Sequence, residues 1–189
     1  MPVNFFNPSC LTIITTKRVG ISDANSDSNS PAFVLLDNED KWDLTINNPN
    51  EREIEYRAID YCINIFRTSD YDVKDEYADP STFSSDAVGS NLIKRCEGFL
   101  FREDSSIVFF EIKTGIVKGW FTDASRKFEE TILSFKEHHS DKVELIKNPI
   151  VSNTTKPRVP QNYAIQNRLL KDKTGLSIKI EITTVYDVA

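Results

Sequence analysis

An α/β fold of the α+β kind, with a central mixed β-sheet flanked by helices and extra N-terminal strands, is what this sequence predicts. Strand-like and helix-like segments interleave along 189 residues, 39% hydrophobic and 28% charged, which suits a single domain with one sizeable core. A second observation is the apolar run Ile107-Val108-Phe109-Phe110, which ends in Glu111-Ile112-Lys113. It reads as a buried strand, and residues two apart on a strand share a face, so Glu111 and Lys113 stand side by side at its end. Burying such charges is costly unless they pair with each other, with a metal or with a substrate.

From the N-terminus, Leu11 to Ile14 and Ala32 to Leu36 read as strands, separated by the Ser/Asp/Asn-rich stretch Ser22 to Ser30. Asp37 to Asp40 is a turn, and Trp42 to Ile46 alternates with period two as a half-buried strand does. Residues 51 to 66 predict a helix, because Ile54, Ala58, Cys62 and Ile65 recur at spacings of four and three. Glu51, Glu53 and Glu55 would lie in its first turns, where the helix dipole favours acids. The polar stretch from Arg67 to Asn91 is long for a connection, with room for a short strand around Tyr71 to Val73.

Cys96 to Phe101 and Ile107 to Lys113, joined by a polar connector, predict an antiparallel hairpin. Ala124, Phe128, Ile132 and Phe135 form one stripe of a helix from Asp123 to His138, with Thr122 or Asp123 as its cap. Val143 to Ile146 begins another strand, Tyr163 to Leu170 a helix stopped near Gly175, and Ile178, Ile180 and Ile182 alternate as a last strand. The expected organisation is one domain: an N-terminal β extension (1–50), a core (51–152) and a C-terminal helix and strand (153–189).

Composition narrows the functional classes. No stretch approaches the roughly 18 apolar residues of a membrane helix, and no secretory leader pattern is visible, so no membrane partner is expected. Three cysteines, Cys10, Cys62 and Cys96, are odd in number and scattered. That argues against a disulfide framework or zinc site and for a reducing, cytoplasmic setting. The neighbouring His138 and His139 point about 100° apart on a helix and read as an exposed terminus. Trp42 and Trp120 read as packing residues rather than base-stacking platforms. The net charge is −6, yet residues 1–106 hold 10 Lys/Arg against 19 Asp/Glu and residues 107–189 hold 13 against 10. The basic excess begins where the Glu-x-Lys strand begins, which suits a polyanion without requiring one.

The order helix, strand, strand, helix, strand around an acid and a Glu-x-Lys resembles the PD-(D/E)xK superfamily, the restriction-endonuclease-like nucleases, with the Holliday-junction-resolvase pattern nearest. There an acid begins the second core strand, the third core strand ends in (D/E)-x-K, and a helix bearing basic residues follows. The resemblance assigns Glu97 to the first acidic position and Glu111 and Lys113 to the paired motif. Glu51, early in the expected first helix, would be a further acid, with Glu55 one turn later. It implies a Mg²⁺ or Mn²⁺ ion held by Glu97, Glu111 and the Ile112 carbonyl, with Glu51 as an added ligand, and Lys113 orienting the attacking water. Lys118, Arg126 and Lys127 would hold nucleic-acid phosphates, DNA before RNA, and a protein partner or homodimer is a further expectation. The chain departs from the pattern in carrying Glu97 where the family has aspartate, and Cys96 where it has proline. A catalytically inactive nuclease-fold binding or assembly module is therefore the alternative, and an unrelated α+β interaction domain a third.

Overall fold

The computed structural model describes residues 3–23, 30–67, 73–77, 93–103, 105–114, 118–155 and 159–185. Among them the strands are β1 (Leu11–Ile14), β2 (Arg18–Ser22), β3 (Phe33–Leu35), β4 (Leu44–Asn47), β5 (Ile54–Ala58), β6 (Ile63–Arg67), β7 (Val73–Tyr77), β8 (Gly98–Arg102), β9 (Ser106–Ile112), β10 (Ile150–Ser152), β11 (Lys179–Ile180) and β12 (Thr183–Val185). The helices are α1 (Trp120–His138) and α2 (Tyr163–Thr174). The order of the central, six-stranded sheet is β1-β5-β8-β9-β10-β11, a second sheet runs β12-β4-β2-β3, and β6 and β7 form a separate ribbon. In the central sheet β1, β5, β8 and β9 pair antiparallel, while β9, β10 and β11 run parallel. The change of direction follows from the connections. A short turn returns the chain antiparallel from β8 to β9, whereas α1 and α2 carry it over to the next parallel strands, β10 and β11.

β9 is buried at all seven positions because it is paired on both edges and covered on both faces. Cross-strand register sets which residue takes which face. Phe99 opposite Phe109 turns toward α1, where both rings meet Phe135. Phe5, Phe6 and His139 extend this cluster, so His139 is an aromatic packing residue whose Nε2 accepts from the Phe5 N–H, rather than a bare helix end. On the opposite face Tyr56 stacks near Phe110 and donates its hydroxyl to the Ala32 carbonyl beside β3. Helices thus cover one face and the second sheet the other.

The helix expected over 51–66 does not form. Ile54, Tyr56 and Ala58 are buried as β5, Ile63 and Ile65 as β6, and the chain reverses between them. Tyr61 takes a left-handed φ of 56° in that turn, and Glu51 already has a φ of 49°, neither of which a helix accommodates. The spacing of four that suggested a helix also places two residues on one face of a strand, and the Ala58-to-Cys62 step spans the turn. With no helix there, the four-stranded sheet supplies the cover that the expected helix would have given. Its β12 comes from the C-terminal end of the chain and pairs parallel with β4.

Three smaller differences follow local chemistry. Arg18–Ser22 is a strand that joins β4, and Ser22 is its last residue rather than part of the polar loop. Residues 140–145 form a 3₁₀ turn, and the next strand waits until Ile150, past Pro149. α1 starts three residues early, at Trp120 behind a left-handed Gly119, so Thr122 and Asp123 lie in its first turn instead of capping it. The stop of α2 at Gly175, φ 79°, is as the sequence suggests. Most of the expected polar loop at 24–29 and much of the 67–91 stretch lie outside the described residues.

The structure also joins Cys10 to Cys62 in a disulfide, leaving Cys96 as the free, buried thiol. This corrects the reading of the cysteines as unpaired and removes the ground for inferring a reducing compartment. Spacing along the chain could not show it, since the partners are brought together by β1 pairing with β5. Among the described residues no helix is long and apolar enough to cross a membrane.

Candidate functional site

Glu97 precedes β8 by one residue, and Gly98 lies opposite Phe110, so continuing the register sets Glu97 opposite Glu111. Opposed residues of an antiparallel pair project to the same face. The Glu97 N–H donates to Glu111 Oε2 at 3.2 Å, fixing the Glu111 carboxylate against the start of β8. Gly98 is needed here, since a Cβ would strike the Arg57 carbonyl of β5.

The other carboxylate oxygen, Glu111 Oε1, is wholly buried and lies between two ammonium groups, Lys113 Nζ at 2.7 Å and Lys127 Nζ at 2.8 Å. Lys127 also approaches Glu97 Oε1 at 3.7 Å and Asp60 Oδ2 at 3.9 Å. Asp60 sits just past β5, where its N–H and that of Ile59 donate to the Glu97 carbonyl, and its side chain accepts from Arg95 at 3.0 Å. On the far side of Glu111, Lys113 reaches Asp123 Oδ2 at 2.9 Å, and Asp123 Oδ1 accepts from Lys94 at 2.5 Å. Charges therefore alternate along a chain from Lys94 through Asp123, Lys113, Glu111 and Lys127 to Glu97 and Asp60. Alternation is what permits so many ions in a low-dielectric setting.

Electrostatics at the site follow from this arrangement. Burial and then the neighbouring Glu111 push the Glu97 carboxyl well above the usual carboxylate range, against the pull of Lys127. Burial would lower both lysines, but the carboxylates, Glu111 foremost, outweigh it and hold Lys113 and Lys127 above their ordinary values. For Asp123, burial would raise the carboxyl, yet hydrogen bonds from Lys94 and Lys113 bring it down to about 2. The second sheet contributes Asp23, whose carboxyl rises to about 6 through burial, then Asp43 and Glu111. Its N–H and the Ser22 hydroxyl both donate to Asp43 Oδ2, and the Asp43 carbonyl accepts from Ser152 of β10.

Of the residues singled out in the sequence, Glu97, Glu111 and Lys113 come together, and Lys127 joins them. Ile112 is buried with its peptide at the same place. Because that peptide is trans and the Lys113 N–H donates to Ser152 of β10, the Ile112 carbonyl points the other way, toward the Cys96–Glu97 segment. Glu51 is not part of the cluster. It lies beyond the opposite end of β5, on the surface, where it pairs with Lys17 at 3.3 Å, and Glu55 pairs with Arg57. Lys118 and Arg126 are exposed, Arg126 bonding to Glu130, whereas Lys127 turns inward. Asp60, Asp123 and Asp23 were missed. Asp123 stands four residues before Lys127 on a helix, a spacing visible in sequence, but Asp60 and Asp23 are placed only by the sheet topology.

The donors around Lys127 are hard oxygens, the class that Mg²⁺ and Mn²⁺ prefer, and Mg²⁺ needs few from the protein because it retains water. Two carboxylates, Glu97 and Glu111, face the position that the Lys127 ammonium holds, and their oxygens are of the kind such an ion takes. Among the described residues, no three of His, Cys, Asp or Glu form a ready metal-coordinating group. Fold and cluster together define a mixed α/β protein with a buried carboxylate–lysine site at the end of its central strand. Comparison with family models, with curated proteins and with solved structures returns no match.

Proposed function

We propose that this chain is a metal-dependent nuclease-like protein with a restriction-endonuclease-like core, hydrolysing phosphodiester bonds in nucleic acid, DNA before RNA. The observation that carries the reading is the meeting of Glu97 and Glu111, from adjacent strands, on one cation position beside Lys113. The run β8, β9, α1, β10 supports it, with the acid before the second strand of β5-β8-β9 and the Glu-x-Lys at the end of the third.

Glu97, Glu111 and the Ile112 carbonyl would hold Mg²⁺ or Mn²⁺. Bound there, the ion would stabilise charge on the phosphoryl group and make a water more acidic. Lys113, held between Glu111 and Asp123, presents a fixed ammonium that orients the attacking water and balances developing negative charge. The exposed Lys118 and Arg126, near the start of α1, offer cations to backbone phosphates.

A second reading is a catalytically silent module of the same fold, acting in binding or assembly. It is favoured by Glu97 in place of aspartate and by Lys127 in the cation position. The two separate in an assay of purified protein on single- and double-stranded DNA and RNA with Mg²⁺ or Mn²⁺. Metal-dependent cleavage that is lost in Lys113→Ala and Glu111→Gln supports the nuclease. Cleavage of no substrate with either ion, or equal cleavage by Lys113→Ala, overturns it.

A further inference from the structure

Lys127 is the most buried ammonium of the site, its side chain only 17% exposed, and its helix brings it to the mouth of β9. Three carboxylates surround it, from three different segments: Glu111 at 2.8 Å, Glu97 at 3.7 Å and Asp60 at 3.9 Å. Only the first is a close ion pair. The looser contacts to Glu97 and Asp60 describe an ammonium seated in a socket larger than itself, with its charge directed at the oxygens a metal would use. Lys113 meets the same oxygen, Glu111 Oε1, at 2.7 Å. It approaches Glu111 from the Asp123 side and is anchored there.

We propose that Lys127 is an internal counter-ion that competes with the divalent cation, so that metal binding and withdrawal of the Lys127 ammonium are one coupled event. The inference rests on the metal-dependent reading above. Glu111 Oε1 already carries Lys113 at 2.7 Å and Lys127 at 2.8 Å, and adding a dication to both ammoniums brings strong repulsion. Asp123 anchors Lys113, which leaves Lys127 as the ammonium that yields. Lysine is suited to yielding, being a point charge on a flexible four-carbon stem. Asp60, already within 3.9 Å and accepting from Arg95, is the partner toward which the ammonium moves. In the metal-free protein Lys127 keeps the two glutamates compensated. In the metal-bound protein the ion does so, and Asp60 retains the lysine.

The test measures Mn²⁺ binding to the intact chain by titration calorimetry, with lysine acetylation read by mass spectrometry. Lys127→Met is expected to bind Mn²⁺ at least about tenfold more tightly than the parent, and its metal-free melting temperature to fall and be restored by Mn²⁺. Asp60→Asn, which removes the place of retreat, is expected to bind Mn²⁺ more weakly. In the unmodified protein, Lys127 acetylation is expected to rise several-fold when Mn²⁺ saturates the site, a readout that does not depend on any variant folding. Binding to the parent with no tightening in Lys127→Met, or with no change in Lys127 acetylation, overturns the competition while leaving the metal site standing. No Mn²⁺ binding by either the parent or Lys127→Met overturns both.

Discussion

Asp123 holds Lys113 in place: its Oδ2 lies 2.9 Å from Lys113 Nζ, while its Oδ1 accepts from Lys94. An ammonium anchored on two sides, by Asp123 and by Glu111, has little freedom to leave the end of β9. In the nuclease proposed above, its position relative to a scissile phosphate would therefore be set before substrate arrives.

Asp123→Asn should accordingly reduce cleavage by about tenfold while leaving Mn²⁺ affinity unchanged, because the residue positions Lys113 without touching the cation site. The same carboxyl gives a pH signature. Its folded value of about 2 lies below the ordinary 3.8, so its stabilising contribution is complete above pH 3.8 and lost as pH falls through about 2. Acid unfolding of the parent and of Asp123→Asn should diverge above that window and converge below it. Melting curves in steps from pH 5 to pH 1.5 would show this.

Glu111→Gln should be among the most damaging single changes, costing about 3–5 kcal/mol, because it leaves two ammonium groups facing each other around a neutral side chain. Combining it with Lys127→Met should recover part of the loss. A double-mutant cycle by urea unfolding checks the coupling, and additive single effects would contradict the ion-pair account.

The hairpin that carries this site was legible in the sequence because its evidence is local. An unbroken apolar run, a polar connector and a second apolar run specify antiparallel partners, and their register then sets Glu97 against Glu111. The stripe Ala124, Phe128, Ile132 and Phe135 likewise marked α1. Residues 51–66 misled because Ile54 and Ala58 satisfy helix and strand periods alike, and only burial against the second sheet decides between them. Lys127 read as a surface phosphate contact because charge on a helix is usually solvated. Nothing in the chain near position 127 shows that three carboxylates from remote segments converge there. Asp23 and the Cys10–Cys62 bond were hidden for the same reason, since each depends on pairing between distant strands.

Asp23 should make the protein less stable at neutral pH than in mild acid. Burial, then Asp43 and Glu111, raise its carboxyl from 3.8 to about 6, so the folded state retains a proton that the unfolded chain has released. Its contribution is complete below pH 3.8 and disappears as pH rises through about 6. Asp23→Asn should raise the melting temperature at pH 7 and flatten its dependence between pH 4 and 6. A variant with the parent's pH profile would place the titration elsewhere.

The Cys10–Cys62 bond closes a sequence separation of 52 residues, which corresponds to about 4 kcal/mol of restricted unfolded-chain entropy. Replacing both cysteines by serine should lower the unfolding free energy by a comparable amount, read as a lower urea midpoint. A reductant should shift the parent's midpoint and leave the double variant's unchanged. Cys62 ends the turn that contains Asp60, so loosening there should also broaden the side-chain environment of Arg95.

β9 is the one strand of the central sheet with an antiparallel neighbour on one edge and a parallel neighbour on the other. Its amides are thus locked on both edges beneath covered faces, and they belong to the last part of the molecule to open to solvent. In hydrogen–deuterium exchange, Val108 to Ile112 should outlast every terminal segment and exchange only through global unfolding. The charged cluster therefore hangs from a strand expected to open only with the whole fold. Fluctuations that admit water or an ion to it must come from α1 and the turn after β5, while the strand bearing Glu111 stays still.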